Sequence, residues 1–203
     1  MIVEEITKKY TIDISCIRKG NNYLLKLSVS QNAVGIMYKM SAVLFRYKWH
    51  ILEAVAETVS AGLVKDVFII HNKDDREMDD AELNRIKADI RALISNQKSP
   101  EDYMKENEIR NLIARDDSAQ ANITIFNPST IDCTVLDIKT DVVSWHLLKI
   151  SEFLYYNKLD IISLVVKAEE NFCRYSFLLK EINGEKLSPD RMKFFENSFP
   201  EIL

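Results

Sequence analysis

Residues 11–29, TIDISCIRKGNNYLLKLSV, and residues 122–140, NITIFNPSTIDCTVLDIKT, carry one pattern twice at an offset of 111. Ile12 lies on Ile123, Ile14 on Ile125, Leu25 on Leu136 and Leu27 on Ile138, so each copy reads as strand, short polar turn, strand. Apolar residues at every second position mark a strand with one buried face. One deletion later the offset is 110, and GIMYKMSAVLFRYKWHI (35–51) lies over WHLLKISEFLYYNKLDI (145–161), with Met40 on Ile150, Leu44 on Leu154, Lys48 on Lys158 and Ile51 on Ile161. A further deletion brings Phe68 onto Phe177 and Met78 onto Leu187. The chain is a repeat, and its fold is that of the repeated unit.

The unit can be read from the change of period. Leu25, Leu27 and Val29 alternate, whereas Ile36, Met40, Val43, Leu44 and Tyr47 follow Gly35 at helical spacing. HILEAVAETVS and LVKDVFIIH read as two further strands, and Leu83, Ile86, Ile90, Leu93 and Ile94 form one stripe of a second helix opened by Asp79 or Asp80. The second copy repeats this through LLKISEFLYY, IISLVVKA, FCRYSFLLK and a helix opened by Ser188 and Pro189. An α+β fold is therefore expected, with two ferredoxin-like ββαββα units, each a four-stranded antiparallel sheet with its helices on one face. The first unit spans 10–96 and the second 121–203, with edge strands at 10–18 and 121–127. Residues 97–120 connect them, with a helix starting at Ser99-Pro100 that packs on the outside. Exposed sheet edges must be paired, covered or charged, so the two units can also join as one eight-stranded sheet, and whether they do so within one chain or across a dimer is left open by the sequence.

The 203 residues include 27 Lys and Arg against 31 Asp and Glu, a net charge of −4, with 47% hydrophobic and 29% charged residues. That balance describes an ordinary globular protein and argues against sequence-independent nucleic-acid binding, which needs clustered cations. The sheet positions also lack the aromatic pattern of RNA-binding sheets. Four glycines and four prolines exclude glycine-rich phosphate loops. Cys16, Cys133 and Cys173 lie in apolar runs without a CxxC pair, as reduced thiols in a core do. The start MIVEEITKKY is unlike a signal peptide, no apolar run reaches membrane-spanning length, and a cytoplasmic protein is expected. The acidic run DDREMDD (74–80) lacks calcium-loop spacing and reads as a solvated turn before a helix.

The run YLLKLSVSQNAVGIMYKMSAVLFRYKWHILEAVAETVSAGLVKDVFII resembles an ACT domain, the regulatory module in which a strand and an Asp-x-Pro-Gly-Leu-like turn precede a helix and two more strands. The tandem is most similar to the C-terminal ACT pair of the bacterial uridylyltransferase that modifies the PII protein, through FNPSTIDCTVLDI and VKDVFIIHNKDDREM. Asn32 stands where the family has Asp, Val34 replaces the proline, and Gly35 is kept. In the second copy those positions are Val142, Ser144 and Trp145. Nothing matches that enzyme's catalytic domains.

The resemblance implies a small effector, usually an amino acid, held at the turn before the first helix or between paired domains. Helix-start N–H groups receive a carboxylate, a glycine admits close approach, and an asparagine both donates and accepts. Gln31, Asn32, Val34, Gly35 and Ile36 are the candidate binding residues. The alternative is purely structural: Gly35 eases a tight turn and Asn32 caps the helix. Trp145 and His146 put bulk at the second copy's turn. His50, His71 and His146 have no nucleophile or ligand spacing beside them, so no catalytic residue, metal or cofactor is expected. The expectation is a non-enzymatic regulatory protein sensing an amino acid. The alternative is a ligand-free docking module for an enzyme of nitrogen or amino-acid metabolism, and a protein partner or homodimer is expected in either case.

Overall fold

A computed structural model describes residues 10–113, 121–141, 145–169 and 171–203. The first half runs β1 (Ile12–Lys19), β2 (Asn22–Val29), α1 (Ile36–Arg46), β3 (Trp49–Thr58), β4 (Val64–Asn72) and α2 (Asp80–Ile94). Two short helices follow, α3 (Pro100–Glu106) and α4 (Ile109–Leu112). The second half runs β5 (Asn122–Phe126), β6 (Thr134–Thr140), α5 (His146–Tyr156), β7 (Leu159–Ala168), β8 (Cys173–Glu181) and α6 (Pro189–Ile202).

The two separate four-stranded sheets expected from the repeat do not form. The strands make one antiparallel sheet in the order β1-β2-β4-β3-β7-β8-β6-β5. Its centre is the pairing of β3 with β7, with Glu53 opposite Lys167, Ala54 opposite Val166, Val55 opposite Val165, Ala56 opposite Leu164 and Glu57 opposite Ser163. The physical reason is edge satisfaction. β3 and β7 would each end a four-stranded sheet with a bare row of N–H and C=O groups, and pairing them removes both edges at once. The opposed Glu53 and Lys167 add a favourable cross-strand charge pair. Both strands shift register at the same repeat position, between Ile51 and Glu53 and between Ile161 and Ser163.

The core continues across the junction. Ala54, Ala56, Leu164 and Val166 face inward beneath the helices and are at most 5% exposed. Small alanines let α1 and α5 come down onto the sheet, where Ser41 Oγ meets Ser151 Oγ at 3.0 Å. Each hydroxyl also bonds its own helix, at Met37 O (2.8 Å) and Leu147 O (2.6 Å), so neither buried polar group is left open. Helix starts follow the sequence signals: Asp79 accepts from Glu82 N–H, Ser99 from Asp102 N–H and Ser188 from Arg191 N–H. Both sheet-to-helix repeats also leave their first helix through a lysine in the left-handed region, Lys48 (φ 61°) and Lys158 (φ 57°).

The segment after α2 is more deeply engaged than its expected outside position. Tyr103, Met104 and Ile109 are fully buried in the common core. Arg110 pairs with Glu152 of α5 at 3.0 Å, and Glu152 also accepts from Tyr38 Oη of α1. Tyr156 Oη donates to Glu101, and Asp89 gathers Arg46, Tyr47 and Tyr103 around one carboxylate. The segment thus locks onto both halves. Residues 114–120 of it lie outside the described residues.

A larger side chain at the helix crossing tests this shared core. Ser41→Leu is expected to cost about 1–3 kcal/mol through overpacking against Ser151, read as a lower urea midpoint with one transition retained. A second, earlier transition would show that the halves unfold apart.

Candidate functional site

The turn between β2 and α1 is built around Gly35, which has φ 91° and ψ 7°. A Cβ there would lie 2.4 Å from Tyr155 Cδ2 and 2.7 Å from Cε2. The glycine therefore serves two needs: a positive φ, and room for an aromatic ring arriving from α5. The close approach that the sequence suggests for a ligand is taken, on this side of the turn, by Tyr155.

Asn32 does not cap α1; no side chain does. Its Nδ2 donates to Asp160 Oδ1 (2.9 Å) and Oδ2 (3.0 Å) at the start of β7, and its N–H donates to Gly62 O at 2.6 Å. The asparagine is a latch between the halves. Lys39 N–H makes the helix's first bond, to Gly35 O, so the N–H groups of Ile36, Met37 and Tyr38 have no intrahelical acceptor.

Beneath this helix start lies a small cavity, lined among others by Asn32, Gly35, Met37, Thr58, Asp66 and Asp160, with a volume of about 30 Å³. That is room for a water molecule or two, an order of magnitude below the ~300–1,000 Å³ of drug-sized sites. Asp66 stands on β4 in the inward row with Val64, Phe68 and Ile70 and is 2% exposed. Its Oδ1 has no hydrogen-bond partner. Burial pushes its carboxyl up to about 7, and a hydrogen bond from the Glu57 backbone offsets only part of that. A buried carboxylate with an open oxygen costs free energy, and such groups concentrate where a protein does something. The cavity thus brings the start of α1 together with two acidic residues, Asp66 and Asp160.

Of the five residues picked from sequence, Asn32, Gly35 and Ile36 line the cavity. Gln31 is exposed and Val34 half-buried, and neither is among the lining residues. Sequence reasoning missed Asp66, Asp160 and Tyr155. Asp66 had a signal: it is the one acid in the inward alternation Val64, Asp66, Phe68, Ile70. Asp160 and Tyr155 had none, because they reach the site only through the β3–β7 pairing.

The equivalent place in the second half is filled. Trp145 and His146 are 4% and 0% exposed, their rings in edge contact with centroids 4.3 Å apart, and Tyr175 stands where the repeat puts Asp66. Burial lowers His146 to about 4, so its ring is neutral at pH 7. Val142 and Ser144 lie outside the described residues. No group of three or more His, Cys, Asp or Glu comes together among the described residues in a way that would hold a metal. None of the helices described is long and apolar enough to cross a membrane.

No family model matches the chain. No curated protein matches it either. Among solved structures, the chain is similar to a double-ringed trimeric shell protein of the RMM microcompartment, at 10% identity and a TM-score of 0.28, over 96% of this chain and 98% of that one. A likeness of that degree carries no argument about fold or function. The site therefore stands on its own geometry.

Two substitutions test that geometry. Gly35→Ala is expected to lower stability by about 2–4 kcal/mol, combining a left-handed backbone with overpacking on Tyr155, and Tyr155→Ala in the same chain should return part of the loss. Urea unfolding of the two single variants and the double reads the coupling. Asp66 is proton-hungry in the folded state, so its cost is absent below the unfolded carboxyl value near 4, grows as pH rises and is complete above about 7. Asp66→Asn is accordingly expected to exceed wild type at pH 8, by up to about 4 kcal/mol, with the advantage vanishing by about pH 4. Equal stabilities at pH 8 would show that the carboxylate is already satisfied.

Proposed function

We propose that the protein is a non-enzymatic cytoplasmic regulator that senses a small zwitterion, an amino acid, at the start of α1. The observation carrying this reading is that the buried Asp66, whose Oδ1 has no hydrogen-bond partner, lines the same cavity as Gly35, Ile36 and Met37 at the start of α1. An amino acid presents a carboxylate and an ammonium a few ångströms apart. The helix start suits the first and the Asp66 and Asp160 carboxylates suit the second. Sensing of this kind is also what the resemblance to ACT domains implies.

Binding requires the Asn32 latch to release Asp160, because the closed cavity holds only about 30 Å³. Release would loosen one of the ties between the halves, which makes the site a place where ligand binding reports on the relation of the two repeats. An ammonium beside Asp66 favours its charged form, so binding near neutral pH expels a proton.

A thermal-shift series against the twenty amino acids at pH 7 tests the reading. A ligand at 100 times its dissociation constant adds about 2.7 kcal/mol, or about 5–10 °C for a chain of this length. The expected result is a shift with one or a few amino acids that is lost in Asp66→Asn, together with proton release in titrations run in buffers of different ionisation enthalpy. A shift that survives Asp66→Asn places the effector elsewhere. The small closed volume and the Tyr155 ring against Gly35 favour a second reading, a docking module whose cavity holds only water; no shift with any amino acid would select it.

A further inference from the structure

Two ties limit how far the cavity at the start of α1 opens. Asn32 N–H donates to Gly62 O at 2.6 Å, which fastens one end of the β2–α1 turn to the turn between β3 and β4. At the other end Gly35 lies against the Tyr155 ring, where a single added Cβ would already stand 2.4 Å from Cδ2. The backbone between these residues is held at both ends. The deep walls are equally fixed: Ile36, Met37, Ala56 and Val64 are at most 5% exposed and belong to the shared core, and a close-packed core yields little space. The part free to move is the half-buried side chain of Asn32, whose Nδ2 holds Asp160 by two hydrogen bonds.

Granted an amino-acid effector at this site, we infer that it is one of the smallest, glycine first and alanine next. The closed cavity of about 30 Å³ takes about two water-sized groups. When the Asn32 carboxamide swings off Asp160, it vacates room for about three more non-hydrogen atoms, those of its own Cγ, Oδ1 and Nδ2. Together these give room for about five non-hydrogen atoms, the number in glycine. Alanine adds a methyl group. The chemistry agrees with the size. The effector's ammonium takes the place of Nδ2 at Asp160 and brings the positive charge that the amide lacks, in the cavity that Asp66 also lines with an unpartnered Oδ1. None of the described residues lining the cavity is basic, so that ammonium is the cation the two acids otherwise lack there. A branched or long side chain finds no room unless the core walls shift or the Gly62 tie breaks.

Titration calorimetry of the full chain at pH 7 with glycine, alanine, valine and leucine tests this. Glycine or alanine is expected to bind at least tenfold more tightly than valine and leucine, and Asp66→Asn is expected to lose all binding. Ile161→Ala removes bulk from a half-buried lining residue and is expected to narrow the gap between glycine and valine at least threefold. The wild-type order decides the matter even where Ile161→Ala fails to fold. Valine or leucine binding as tightly as glycine, through Asp66, overturns the inference and leaves the amino-acid reading standing. A thermal shift with a larger amino acid and no heat from these four does the same. No response to any amino acid removes the reading and the inference together.

Discussion

Five residue pairs between β3 and β7 decide what kind of molecule this is. A unit of the repeat alone would leave its β3 or β7 edge unpaired and the inward Ala54 and Ala56, or Leu164 and Val166, at the border of a small core. Pairing the edges turns two borders into one centre. The alanines then become useful for being small, because they let α1 and α5 settle over the seam until their serines touch. The segment carrying Tyr103, Met104 and Ile109 closes the same core from the side. The local two-fold symmetry of the molecule, including matched bulges and matched lysine helix exits, follows from this seam.

The seam also composes the site. Gly35, Asn32 and Asp66 come from the first repeat, and Tyr155 and Asp160 from the second, so neither repeat holds the cavity alone. In the second repeat the corresponding turn has lost its glycine to Trp145, and Tyr175 replaces the acid. Duplication followed by divergence of this kind leaves one open, charged position and one packed, apolar position in a single body. On the proposed reading, this asymmetry is what would let a ligand at one turn bear on the contact between halves.

Much of the local structure was legible because its causes are local. The alternation at Leu25, Leu27 and Val29, the helical stripe from Ile36, and the caps at Asp79, Ser99 and Ser188 each involve residues a few positions apart. That the sheets join within one chain, and through β3 and β7, was open in the sequence and not decided by it: Val55 and Val165 read alike whether their strands end a sheet or sit in its middle, and edge pairing at a separation of 110 residues leaves no trace in period. The site was half visible for the same reason. Gly35 announces a special turn, but the partner that needs its missing side chain is Tyr155, on another helix. Asp66 was readable as a polar residue in an inward row, whereas the role of Asn32 as a latch to Asp160 and not a cap depends entirely on the fold.

The account rests on the two halves being one cooperative body, and the chain's two tryptophans allow a direct test. Trp49 lies in the first half and Trp145 in the second, both buried. Urea unfolding of Trp49→Phe and Trp145→Phe, each corrected for its stability change by circular dichroism, follows the fluorescence of one half at a time. The account predicts coincident midpoints and slopes for the two halves, with the slope of a chain of this full size. Separated midpoints, or slopes appropriate to half the chain, would show two independent units and contradict it.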